Sequence, residues 1–153
     1  MRIKVLERQI SVLARTKYPA TAWLEQIPGV GPITALYFVL KIEDPTRFPQ
    51  VRDVGAFIGL CPRRDQSGEN DPQLRISKGG DAYLRRLLVS AAQYILGPFA
   101  PASALRQYGL TLAAEGTSRA KKRAVVAVAR KLAVLLLSLW KNERPYVPFP
   151  QLT

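Results

Sequence analysis

A chain of 153 residues with 48% apolar and 22% charged side chains is the size of one compact domain, and it has enough apolar surface for a folded interior. Its 23 Lys and Arg against 11 Asp and Glu give a formal charge of +12, a single cysteine excludes an internal disulfide framework, and the lack of histidine removes imidazole acid–base chemistry and histidine metal sites. Residues 1–72 hold ten basic and eight acidic side chains and residues 73–153 thirteen and three, so the carboxyl half suits a polyanion and nucleic acid is the expected partner.

Taken in chain order, Met1 to Arg8 is charged throughout, unlike the apolar stretch of a secretory signal, and a cytoplasmic location is expected. Ile3, Leu6, Ile10 and Leu13 recur at helical seam spacing and predict a helix to about Arg15, either packed on the domain or forming the stub of a longer coiled coil. A short helix through Trp23 and Leu24 should end near Ile27, where Pro28-Gly29-Val30-Gly31-Pro32 breaks the chain before an apolar helix over residues 33–40. Residues 46–52 read as a loop and 53–59 as a short helix closed by Pro62. From Cys61 to Gly80 the composition turns polar, an irregular or β-hairpin insertion. Asp81 is an N-cap for a helix whose apolar face is Tyr83, Leu84, Leu87, Leu88, Ala91 and Ile95, ended by Gly97-Pro98. A further helix over 102–113 and a long one from Ser118 to about Asn142 follow, then an extended tail rich in proline. The most apolar stretch, 132–140, falls short of the roughly 20 residues that span a bilayer, so it reads as buried helix and no membrane partner is expected.

Three groups of residues bear on function. Gly29, Val30 and Gly31 fit a helix–hairpin–helix, in which glycines adopt backbone angles forbidden to larger residues and bring peptide N–H groups against a phosphate; a plain helix end and turn is the alternative. Pro32 suits the first position of the second helix. Ser67 in Gln66-Ser67-Gly68 lies between Arg63-Arg64 and Arg75-Ile76-Ser77-Lys78, cations that would stabilise charge developing on an attacked phosphate. Spacing alone reads Ser67 as a turn residue. Arg85 and Arg86 lie opposite the apolar face of their helix, and Arg119, Lys121, Lys122 and Arg123 open the longest helix, with Arg130 and Lys131 further on, as a track for phosphates or a solvated face. Asp65, Glu69, Asp71 and Asp81 form no metal motif, and Cys61 has no histidine to activate it.

The ordered series 27–35 (Ile-Pro-Gly-Val-Gly-Pro-Ile-Thr-Ala), Arg47-Phe48, Gly59-Leu60-Cys61-Pro62, Gln66-Ser67-Gly68, Ile76-Ser77-Lys78-Gly79-Gly80, Leu84-Arg85-Arg86-Leu87-Leu88 and 127–132 (Ala-Val-Ala-Arg-Lys-Leu) resembles the carboxyl-terminal domain of the Piv/MooV-like insertion-sequence transposases, the IS-one-ten family. The resemblance covers about residues 20–147. It implies a DNA recombinase, guided in some members by a bridge RNA, whose amino-terminal RuvC-like domain holds magnesium on an Asp-Glu-Asp-Asp set and is joined by a coiled coil to the domain seen here. It also makes Ser67 the nucleophile, with Ser77 as its alternate.

The expectation is therefore a mainly α-helical domain. Residues 1–17 would be the end of a coiled-coil linker, 18–147 the transposase domain with a helix–hairpin–helix at 20–41, and 148–153 a tail. It would bind DNA, would need no cofactor of its own, and would work as a homo-oligomer in the complete protein, where Ser67 attacks a DNA phosphate. Lacking the magnesium domain, this stretch alone is not expected to cut DNA, and a fragment or a truncated gene would account for its start. A non-catalytic nucleic-acid-binding module, a transposase remnant, or an assembly piece joined through the Ile3–Leu13 stripe are the other readings.

Overall fold

The long helix expected at the carboxyl end organises the whole chain. A computed structural model describes residues 1–61 and 80–151, and in these residues the protein is mainly α-helical, with seven α-helices and no strand. They are α1 (Arg2–Lys17), α2 (Thr21–Leu24), α3 (Pro32–Ile42), α4 (Val54–Ile58), α5 (Ala82–Leu96), α6 (Ala104–Leu112) and α7 (Ser118–Asn142), with two 3-10 turns at Pro45–Arg47 and Val51–Asp53 between α3 and α4. Apart from Cys61 and Gly80 at its two ends, the polar insertion expected from Cys61 to Gly80 lies outside the described residues.

In α7, Val128, Leu132 and Leu136 recur every four residues, and all are fully buried with Ala129, Ala133 and Leu137 beside them. This strip packs against α5 and α6 most extensively and also against α2 and α4. Leu84 and Leu88 of α5, Phe38 and Ile42 of α3, and Val54 and Ile58 of α4 complete one core. Burying each such side chain contributes about 1.5–3 kcal/mol.

The helix ends follow from single residues. The Ser103 hydroxyl accepts the Arg106 N–H at 3.1 Å, so α6 begins at Ala104 and not at 102, and the Thr117 hydroxyl accepts the Ala120 N–H at 3.0 Å to open α7. The Arg106 guanidinium closes α5 by donating to the carbonyls of Ile95 and Gly97. The tail is strapped down: the Tyr146 N–H donates to Gln26 Oε1 at 3.0 Å, and the Ala104 N–H donates to the Pro148 carbonyl at 2.9 Å.

Asp81 ties α3 to α5. Its carboxylate caps α5 by accepting the Leu84 N–H at 2.8 Å, accepts the Tyr37 hydroxyl at 3.1 and 3.0 Å, and pairs with Lys41 at 3.1 Å. Tyr37 packs edge-on against Tyr83, their centroids 4.7 Å apart. Just before the cap, Gly80 has φ +79°, and a Cβ there would run into the Phe57 carbonyl oxygen, so only glycine fits.

The cap is also a pH-dependent element. The Leu84 N–H first, and then the Lys41 and Tyr37 donors, hold the Asp81 carboxyl down at about 2 against an ordinary 3.8. Its contribution is therefore complete above the ordinary value and is lost as pH falls toward about 2. Asp81→Ala should lower stability by about 1 kcal/mol at neutral pH, read from urea midpoints. The gap from the parent should narrow progressively between those two pH values.

Candidate nucleic-acid interface

The break between α2 and α3 is built from two glycines that behave differently. Gly29 has φ +100°, and a Cβ would meet Tyr94 Cδ1 at 2.9 Å and the Ala91 carbonyl oxygen at 3.3 Å, so the turn rests on α5 through a position only glycine fills without strain. Gly31 has φ −90° and ψ −178°, extended backbone open to any residue, and a Cβ there meets nothing within 4 Å. The expectation that both glycines serve forbidden angles thus holds for Gly29 and is corrected for Gly31, which the fold does not need as glycine. Between them Val30 turns its side chain into the core and offers only backbone.

Gly31 is the N-cap of α3 and provides no side-chain acceptor, while Pro32 occupies the first turn. Among the described residues, the N–H groups of Ile33 and Thr34 have no backbone acceptor. They carry the partial positive charge of the helix end. Thr34 is 8% exposed, and its hydroxyl has no hydrogen-bond partner among the described residues. These groups open on a cleft of about 510 Å³ whose other wall is α1, with Lys4, Glu7, Arg8 and Ser11. At 100° per residue these four share one face of α1, more than a quarter turn from the Ile3–Leu13 stripe. Lys4 and Arg8 read from sequence as charges on an outer face of α1. Their spacing of four along a helix was visible, but their position opposite Gly31 depends on how α1 packs on α3.

The stripe seats α1 only through Ile10, which is half-buried. Only Ala14 of α1 is buried, whereas Ile3, Leu6 and Leu13 remain 72%, 55% and 39% exposed.

The other expected cations are distributed over separate elements. Arg85 is half-buried and donates to the Ile58 carbonyl at 3.2 Å, a bond that holds α5 to α4. Arg86 is exposed with its guanidinium 5.7 Å from the Tyr83 ring centre. Arg119, Lys121, Lys122 and Arg123 are exposed on the first turns of α7. Further along, Lys131 sits over the Tyr108 ring at 3.7 Å, and the half-buried Arg130 lays its stem beside Gly55, which places both in packing roles. Ser67, Arg63, Arg64, Ser77 and Lys78 lie outside the described residues. Gly80 packs on Phe57 and Ile58, only a few residues before Cys61, so the two flanks of that segment are held together beside the N-terminus of α5. Among the described residues no three His, Cys, Asp or Glu side chains gather to hold a metal ion, and no helix is long and apolar enough to cross a membrane.

Comparison with known proteins gives a consistent result. Residues 21–108 match the model of the transposase IS116/IS110/IS902 family. The chain is 35% identical over 123 residues to a transposase for insertion sequence element IS1111A of Coxiella burnetii, covering 80% of this chain and 33% of that protein. It is 34% identical over 149 residues to a probable family 20 transposase of Pseudomonas aeruginosa, covering 96% and 43%. A pilin gene-inverting protein of Moraxella bovis is 27% identical over 124 residues, covering 80% and 37%. The chain thus spans less than half the length of these relatives.

The two glycines should separate cleanly in stability. Gly29→Ala should cost about 1–3 kcal/mol through its positive φ and the contact with Tyr94. Gly31→Ala should stay within about 0.5 kcal/mol of the parent, both measured by thermal or urea unfolding.

Proposed function

Since the chain belongs to the IS116/IS110/IS902 transposase family, we propose that it is the DNA-contacting part of an insertion-sequence transposase that grips the phosphate backbone at the α1–α3 cleft. The observation that carries this reading is the uncapped start of α3. Free N–H groups, a glycine unneeded by the fold, and the unpartnered Thr34 hydroxyl face Lys4 and Arg8 across one cleft. A phosphate seated there would accept hydrogen bonds from the Ile33 and Thr34 amides in the manner of a helix–hairpin–helix. A methyl group on residue 31 would keep it out. Such contacts carry no base information, so binding is independent of sequence. Glu7 opposes the anion and tempers the affinity.

In the complete protein Ser67 is the proposed nucleophile. Its Oγ attacks a DNA phosphorus, the new Oγ–P bond replaces the broken P–O bond, and the hydroxyl proton is balanced by the one taken up by the released strand oxygen, so the strand can later be rejoined without external energy. Arg63, Arg64 and Lys78 would stabilise the charge that develops. Arg86 and the α7 cations Arg119, Lys121, Lys122 and Arg123 extend the electrostatic footprint. Magnesium, a bridge RNA and a homo-oligomer belong to this reading at the level of the whole protein. For the oligomer, the exposure of Ile3, Leu6 and Leu13 on one helix is the supporting observation.

Binding to a labelled DNA duplex tests the cleft. Lys4→Ala with Arg8→Ala should weaken affinity and lower the slope of log K against log salt by about 2. Gly31→Ala should weaken binding about tenfold, the loss of roughly one charge-assisted backbone contact, at unchanged stability. Glu7→Gln should tighten it. Unchanged affinity in the first two variants would remove the cleft from the interface. In the full-length transposase, Ser67→Ala should abolish recombination while leaving DNA binding intact. Recombination at the parental rate would exclude Ser67, and loss only in Ser77→Ala would transfer the role.

A further inference from the structure

A second cleft between α1 and α3 lies at their carboxyl ends and has the opposite chemistry. It is a pocket of about 540 Å³ whose lining includes Lys17, Tyr18, Trp23, Trp140, Glu43 and Glu143. Trp23 and Trp140 are the only tryptophans of the chain. Both are half-buried and pack against the core, and an indole face carries negative potential, which favours a cation over a neutral group. Glu43 and Glu143 are the C-caps of α3 and α7, so the pocket also faces the negative ends of two helix dipoles.

Arg47 meets the end of α3 by donating to the Ile42 carbonyl at 3.5 Å, while the lysines in the last turns of α3 and α7 are engaged away from the two glutamates. Lys41 pairs with Asp81 at 3.1 Å, and Lys141 donates to the Phe48 and Pro49 carbonyls at 3.2 and 3.4 Å. Among the described residues neither Glu43 nor Glu143 has an ion-pair partner within 4.0 Å, Lys17 included. A chain of net charge +12 therefore keeps two unpaired carboxylates beside its two indoles.

We propose that this pocket receives an arginine side chain presented by another protein. A guanidinium is planar enough to stack on an indole while its fork of N–H groups donates to carboxylates, a combination an ammonium does not offer. The site is independent of the phosphate cleft, which lies about 16 Å away at the other end of α3. Its sign also excludes nucleic acid as the occupant. Lys17 is the internal competitor, and its removal strengthens binding.

The test uses the whole chain and two acetylated peptides, one with a single arginine between glycines and one with the neutral isostere citrulline in its place. Tryptophan emission and the two indole N–H resonances report directly on the pocket. The arginine peptide should bind saturably and at least five-fold more tightly than the citrulline peptide. The Glu43→Gln, Glu143→Gln double variant should lose that preference while keeping DNA binding. Equal response to the two peptides, or a preference that survives in the double variant, would overturn the proposal. A second variant guards against a folding artefact. Both glutamates sit at positive φ, 68° and 49°, where glycine is preferred, so Glu43→Gly with Glu143→Gly should raise the thermal midpoint yet still abolish the arginine preference. If the free chain self-associates and the Gln variant does not, the occupant is a second copy and the assignment to a foreign chain fails.

Discussion

Burial of the α7 strip is the constraint to which every other arrangement in this protein answers. Val128, Leu132 and Leu136 have no exposure, and they are covered by helices that are individually too short to be stable in water. Four-residue α2 and five-residue α4 exist because α7 offers them an apolar wall. Once α5, α6 and the two short helices are seated on that wall, little of it is left for α1, which rests on α2 and α3 instead. The amino-terminal helix is therefore peripheral, and its grooves against α3 stay open at both ends.

Those two grooves divide the charge of the molecule. Where α1 and α3 begin, unpaired N–H groups meet Lys4 and Arg8; where they end, helix carbonyl ends meet Glu43, Glu143 and two indoles. One pair of helices running side by side thus offers an anion-seeking end and a cation-seeking end. The partition follows from the helix dipole, and the side chains at each end reinforce it.

Much of this was legible in the sequence. The apolar period of residues 118–142, the cap at Asp81 and the break at Gly97-Pro98 specified their helices, because local hydrogen bonding and one buried face decide such elements. The glycines of the break between α2 and α3 were visible, yet the roles of Gly29 and Gly31 were not separable, since only packing against Tyr94 and Ala91 tells them apart. Lys4 and Arg8 looked like ordinary charges on a helix, and Glu43 and Glu143 like ordinary helix ends. Their meaning arises from contacts between segments far apart in the chain, which no local pattern encodes. The same holds for Arg130 and Lys131, read as part of a cationic track and found against Gly55 and Tyr108. The serine assignment rests on family resemblance, at a position outside the described residues.

Gly80, wedged against Phe57, and Cys61, a few residues beyond it in the same corner, have a further meaning for how such a protein changes over generations. Chain entropy for joining two points grows only with the logarithm of the connecting length, so doubling the stretch between fixed anchors costs about 0.6 kcal/mol. With its anchors set by packing, the helical frame tolerates replacement of the intervening stretch by one of another size at little thermodynamic penalty. The frame and the stretch it anchors are thereby free to diversify at different speeds.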